Sequence, residues 1–228
     1  MPIILNIDTS GSRASIALAE VGKTIAEATN SDQRDHASWI HSAIRQILDD
    51  NELTPGDLSA IAVTLGPGSY TGLRVGLATA KGFCYALDIP LITENTLHVM
   101  AFHAISHYSN GEKAVVDFYI PMIDARRMEV FTAVYDRELN EILHPTAMIL
   151  EDDSFTNYLT NRTLIFGSGA AKFQNMAQGT QTQFKNLEAT AADMSLLSYR
   201  KYLNKSFSDI VYCDPLYLKE FYSPEKKS

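Results

Sequence analysis

Apolar and polar positions change period several times along the chain, and each change marks an element. Ile3 to Ile7 is a short apolar run, the pattern of a buried strand, and it stops at Asp8-Thr9-Ser10-Gly11. Arg13 to Ala19 and Lys23 to Ala28 read as two further strands around a Val21-Gly22 turn. The period then lengthens. Ala37, Ile40, Ile44, Ile47 and Leu48 recur at helical steps, so a helix is expected to about Asp50, with Asp35 placed to cap it. Trp39 leaves that stripe. Leu58 to Val63 is a fourth strand, followed by Gly66-Pro67-Gly68-Ser69-Tyr70-Thr71-Gly72-Leu73-Arg74-Val75-Gly76. From that loop Leu73, Leu77, Ala80, Cys84 and Leu87 form a second helical stripe. Leu91-Ile92-Thr93 is a fifth strand, and Asn95 or Thr96 caps a helix carrying His98, His103 and His107.

Ser109 to Lys113 is the clearest polar break, which sets the expected lobes at 1–108 and 109–212, with the tail from about 213 to 228 returning to the first. Ala114 to Ile123 and Met128 to Tyr135 read as strands of a hairpin tipped by Asp124-Ala125-Arg126-Arg127. Thr163 to Phe166 is another strand, ending at Gly167-Ser168-Gly169, and Thr190 to Leu203 is a helix. Asp214-Pro215-Leu216-Tyr217-Leu218-Lys219 is extended and apolar, so it is expected to dock; from Pro224 fraying is expected. Simple self-similarity shows no internal repeat.

Composition narrows the function classes. With 228 residues the chain can bury a sizeable core, and 46% hydrophobic with 20% charged content is ordinary for a globular protein. A net charge of −8 without a dense Lys/Arg run argues against nucleic-acid binding by this chain alone. Cys84 and Cys213 form no metal spacing, and a reduced, cytoplasmic protein is the simple inference. Met1 to Ile7 reads as a strand, not a signal peptide, and no apolar run is long enough for a membrane span.

The loop at Gly66 carries the strongest candidate chemistry. Strand, glycine-rich turn and helix leave backbone N–H groups at a helix N-terminus, where an anion can bind. Ser69 is placed to cap that helix. The loop is neither a Walker A sequence nor the dinucleotide fingerprint, so a tight strand-to-helix turn is the plainer reading. Asp8, Thr9 and Ser10 can orient a phosphate or merely close an Asx turn. On the second helix Gly72, Gly76, Thr79 and Gly82 form a small-residue face. Something packs close there: either the chain's own sheet or another helix. His103 and His107 stand one helical turn apart, but no Glu follows His103, and surface histidines are the expectation.

Taken together, Ile7-Asp8-Thr9-Ser10, the Gly66 to Gly76 loop, Asp124 to Val130 and Pro215-Leu216-Tyr217-Leu218-Lys219 resemble the TsaB (YeaZ) family, in order and over nearly the whole chain. Tyr70 and Lys219 stand where the family often has Phe and Arg. The resemblance implies an α/β, two-lobed actin/hexokinase/heat-shock-chaperone-like fold with mixed sheets flanked by helices. It implies a subunit in making N6-threonylcarbamoyladenosine in tRNA, acting on a catalytic paralogue, TsaD, together with an ATPase, TsaE. tRNA would be met only through the complex, and the isolated chain would pair with itself. The paralogue holds a metal with an H-x-x-x-H set. Matching Asn95 to the Asn before it puts Thr96 and Met100 at the ligand positions, which do not suit that ion.

So no catalytic residue and no metal ligand is expected, and the chain would carry no cofactor of its own. Nucleotide or phosphate-loop candidates are Asp8, Thr9, Ser10, Gly66, Pro67, Gly68, Ser69 and Thr71, with ATP or ADP a candidate ligand at the TsaD interface. Trp39, Ile40, Gly72, Gly76 and Thr79 are the candidate partner face, and Gly76→Leu is expected to weaken association without harming the fold. Two competing readings are a glycoprotease-like metallopeptidase, which needs metal ligands and a polarised water, and a small-molecule kinase. The kinase would use Asp8, the Gly66 loop and Gly167-Ser168-Gly169 around ATP.

Overall fold

The computed structural model describes residues 1–32, 36–108, 116–177 and 181–219. Asp35, the Ser109 to Lys113 break and the end from Pro224 lie outside the described residues.

Two five-stranded mixed sheets form the framework. In the first, β1 (Ile3–Asp8), β2 (Ala14–Glu20) and β3 (Lys23–Asn30) make an antiparallel meander, and β4 (Ala60–Gly66) and β5 (Leu91–Asn95) add in parallel, giving the order β3-β2-β1-β4-β5. In the second, β6 (Phe118–Asp124), β7 (Glu129–Asp136) and β8 (Glu141–Ile149) make the meander, and β9 (Thr163–Phe166) and β10 (Thr182–Lys185) add in parallel. Its order, β10-β9-β6-β7-β8, is the same topology read from the other edge. The architecture is therefore repeated where the sequence shows no repeat.

Helices cover the sheets as their stripes dictate. On one face of the first sheet, α1 (His36–Asp49) and α2 (Tyr70–Leu87) bury Ile40, Ile44, Ile47, Leu77, Ala80 and Cys84 against Leu5, Ile7, Ile16 and Val63. Helix α3 (Thr96–Tyr108) is apolar on more than one side, the pattern of a helix that packs against two layers. It supplies Val99 to the core on the other face of the first sheet and Leu97, Met100, Ala101 and Ala104 to the core under the second. Asn95 caps it, its Oδ1 accepting from Leu97 N at 2.9 Å. The outer face of the second sheet closes over Phe155, Leu159 and Phe173 from two short helices, α4 (Thr156–Leu159) and α5 (Ala170–Gln174).

The chain returns to the first lobe earlier than the polar pattern implies. Thr190 to Leu203 is a 3-10 turn, Ala191–Met194, running into α6 (Ser195–Leu203). Ala191, Met194 and Leu197 pack on Ile4, Ala17, Ala62 and Ile92 of the first sheet. Ser198 Oγ donates to the buried Asn6 Oδ1 at 2.7 Å, and Ala191 N donates to Ser15 Oγ at 2.8 Å. Leaving such buried groups unpaired costs about 1–3 kcal/mol each, so the return crosses near residue 190, not 213. The tail docks as expected: Leu216 N donates to Leu65 O at 2.8 Å, and Lys219 forms an ion pair with Glu129 of β7.

Candidate functional site: an interlobe cleft and a helix groove

The turn after β1 is held by one carboxylate oxygen. Asp8 Oδ1 accepts from Ser10 N at 3.0 Å, Ser10 Oγ at 2.7 Å and Thr64 Oγ at 2.7 Å. Asp8, Thr9 and Ser10 are all buried. This is an Asx turn tied to β4, and it fixes where the strand end points. The Gly66 loop packs on the same turn. Ser69 N donates to Ser10 O at 2.7 Å, and Ser69 Oγ accepts from Gly72 N at 3.3 Å, so the expected N-cap is present. Gly66 takes φ +121°, where a side chain would be strained, and a Cβ there would lie 2.8 Å from Leu216 O. Gly66 and Pro67 are buried, Gly68 is half-buried, and Ser69 and Thr71 are exposed.

Asp8 and Ser10 open onto a cleft between the lobes, with Arg13 beside them. Gly167 and Ser168 line it from the second lobe, Thr96, Val99 and Met100 from α3, and Leu187 to Ala189 from the returning chain. Its volume is about 100 Å³, below the roughly 300–1,000 Å³ usual for a ligand pocket. Arg13 pairs with Glu188 at 3.6 Å across the same cleft. Thr96 Oγ1 is buried there without a hydrogen-bond partner among the described residues. Of the residues expected around a phosphate, Asp8, Ser10, Gly167 and Ser168 converge; Gly66, Pro67, Gly68, Ser69 and Thr71 do not line the cleft. Thr9 turns away from it and donates to Gly72 O at 2.7 Å. Arg126 and Arg127 sit exposed at the tip of the β6–β7 hairpin, both at positive φ.

The small-residue face of α2 is divided between two neighbours. A Cβ on Gly72 would lie 2.0 Å from Thr9 O, and one on Gly76 would lie 2.3 Å from Thr9 Oγ1. These two glycines therefore admit the chain's own β1–β2 turn. Consequently Gly76→Leu would attack the fold directly and cannot serve as a clean test of association. Further along, Gly82 has nothing within 4 Å of an added Cβ. It belongs to an open apolar groove of about 520 Å³ lined by Ala37 and His41 of α1 and Val75, Ala78, Thr79, Phe83 and Ala86 of α2. Thr79 alone of the five expected partner residues lines this groove. Ile40 is fully buried in the core, and Trp39 is half-buried on the other side of α1, where it lines a separate groove with Ala26, Ala28 and Ile47. The sequence signal that could have found the groove is the small series Val75, Ala78, Thr79 and Gly82, which continues past the glycines that touch Thr9.

An aromatic cluster closes the outer end of the loop. Tyr70 stacks on Tyr217 with ring centroids 5.2 Å apart, Arg74 lies 4.2 Å over the Tyr70 ring, and its Nε donates to Tyr217 OH at 3.0 Å. That hydrogen bond holds the Arg74 guanidinium above its usual range.

A repeated β3-β2-β1-β4-β5 topology, with strand-end turns facing one cleft, defines a two-lobed protein of the actin, hexokinase and heat-shock-chaperone class. The comparisons narrow that class. The family model for TsaD, tRNA N6-adenosine threonylcarbamoyltransferase, matches residues 23–212. The tRNA threonylcarbamoyladenosine biosynthesis protein TsaB of Escherichia coli is 28% identical over 224 residues, 95% of this chain and 94% of that protein. TsaB of Bacillus subtilis is 37% identical over 132 residues, 58% of this chain and 54% of that one. A solved structure of YeaZ from Pseudomonas aeruginosa superposes with a TM-score of 0.77 at 22% identity, covering 96% of this chain and all of that one. The chain belongs to the TsaD family and, within it, to the TsaB/YeaZ branch.

Proposed function

We propose that this chain acts in tRNA threonylcarbamoyladenosine biosynthesis as a non-catalytic subunit that binds and activates a TsaD paralogue. The observation that carries this reading is the open groove between α1 and α2, whose Ala, Gly and Thr lining lets another helix approach closely. Helix-in-groove docking uses such a surface. The same groove serves a second copy of the chain when the paralogue is absent. The donor set of the cleft supports the non-catalytic part: Thr96 and Met100 offer a hydroxyl and a thioether where the paralogue's ligands would fall. The charge of −8 supports contact with tRNA only through the complex, with TsaE as the further ATPase component. ATP or ADP fits the cleft only if the lobes part, since about 100 Å³ is too small for it.

The test is association with the organism's TsaD, followed by light scattering after size exclusion. Wild-type protein should form a complex, and Ala78→Glu, exposed in the groove, should abolish it with Tm unchanged. Gly82→Leu should weaken it likewise. Unchanged complex formation by both variants would refute the groove. ATP turnover by the isolated chain would favour the small-molecule kinase reading instead.

A further inference from the structure

We propose that His103, His107 and Asp193 form a binding site for a borderline divalent cation of the Zn²⁺ class, which pins α3 to the chain segment returning to the first lobe. The two histidines come from one face of α3, a turn apart, and Asp193 comes from the 3-10 turn 90 residues further on. One donor atom from each residue lies within 4.8 Å of the others. His103 Nδ1 is 2.9 Å from Asp193 Oδ1, and His107 Nδ1 is 4.0 Å from the same oxygen. Metal–ligand arms of about 2.0–2.1 Å in a tetrahedron place donors about 3.4 Å apart. The two distances bracket that value, so closure needs side-chain adjustment, not movement of the backbone.

The carboxylate is already positioned. Its other oxygen accepts from Thr190 N at 2.8 Å, in the capping box that starts the 3-10 turn, and this leaves Oδ1 facing the imidazoles. Outer hydrogen bonds of this kind orient metal ligands. A His–Asp hydrogen bond alone accounts for His103. It does not account for the His107 ring, stacked on His103 with centroids 4.4 Å apart. His107 Nδ1 contacts His103 O at 3.0 Å, a local contact that the exposed ring can exchange for a metal by rotation. Burial is graded: the Asp193 side chain is 9% exposed, His103 19% and His107 64%, so the site is held from beneath and entered from outside.

Two imidazoles and one carboxylate favour Zn²⁺, Co²⁺ or Ni²⁺ over Mg²⁺ and Ca²⁺, which take oxygen ligands. Three protein ligands leave a position for water or a partner's side chain. The site starts about two helical turns beyond Thr96 and just under one turn beyond Met100, and none of its three residues lines the cleft. Ala104, not Glu, directly follows His103, so the helical pair lacks the base of a hydrolytic H-E-x-x-H set and the role inferred is a staple.

The test uses the whole chain without a histidine tag, stripped with chelator and titrated with Zn²⁺ by calorimetry, with Co²⁺ as the visible-absorption probe. One equivalent should bind. With Zn²⁺ held 100-fold above its Kd, Tm should rise by roughly 5–10 °C. His107→Ala should weaken Zn²⁺ by at least about 100-fold and cancel the Tm rise, and Asp193→Asn should do the same. Because His107 is mostly exposed, its metal-free variant should melt as the wild type does, which separates lost binding from lost folding. Failure to bind saturably would overturn the proposal. So would Zn²⁺ binding that survives His107→Ala, which would place the ion on other groups such as His144 and Glu141.

Discussion

Replacing Gly76 with alanine should destabilise the protein, although the same replacement at Gly82 should stabilise it. Alanine exceeds glycine by about 1 kcal/mol in a helix interior. At Gly82 the added Cβ meets nothing within 4 Å, so the whole gain should appear, as a Tm rise of about 2–4 °C. At Gly76 the Cβ would stand 2.3 Å from Thr9 Oγ1, whereas ordinary contact begins near 3.4 Å. The hydroxyl must retreat by about 1 Å. It then loses its 2.7 Å hydrogen bond to Gly72 O, in a buried site. That loss costs about 1–3 kcal/mol, and residual overlap adds to it. After the helix gain is subtracted, the net loss should be about 1–3 kcal/mol, a Tm fall of roughly 3–10 °C. Thr9→Ala removes the obstructing atom. In that background Gly76→Ala should be neutral or stabilising, a coupling of at least about 1 kcal/mol. Urea and thermal unfolding of the four proteins in this cycle, followed by circular dichroism, measure it. If Gly76→Ala raises Tm as Gly82→Ala does, or if Thr9→Ala leaves its effect unchanged, Thr9 does not set the close approach of α2.

Lys201→Met should cost about 2–4 kcal/mol, because Glu94, 1% exposed, would lose the ammonium at 3.0 Å and keep, among the described residues, His98 Nδ1 at 3.7 Å. Adding Glu94→Gln should restore much of the lost Tm; no recovery would show that the ion pair is not the cause. The two thiols should differ in reactivity: burial pushes Cys84 up to about 11 and closes it off, while Cys213, also raised by burial, is only half-buried. At pH 8 an aromatic disulfide reagent should titrate about one thiol in the native protein and both after denaturation. Equal, rapid reaction of both in the native state would refute the burial of Cys84.

Much of the first lobe is legible in the sequence because its elements satisfy local rules. Ile3 to Ile7 alternates with nothing polar except Asn6, as a central strand must. The stripe Leu73, Leu77, Ala80, Cys84 and Leu87 gives α2 to its last residue, and Ser69 and Asn95 cap where their side chains predict. The second lobe is less legible. Strand β8 escapes notice because it is an edge strand, half-exposed and interrupted by Pro145, so its alternation is faint. Strand β10 has four residues on a parallel edge. The repeated topology is invisible for a related reason: strand order depends on backbone hydrogen bonds, which different side chains can support equally.

What the sequence determined by itself was local: element type, the capped helix starts, the glycine-rich turn and, through its specific motifs, the family. Tertiary structure decided which neighbour each surface meets. Only the fold placed Thr9 against Gly72 and Gly76, left Gly82 facing an open groove, buried Ile40 and brought Asp193 to His103 and His107. Periodicity states that a face must be covered, or that two side chains share a helix turn. It holds no information about which residue, 60 or 90 positions away, arrives there, because that is settled by strand order and by where the chain crosses between lobes.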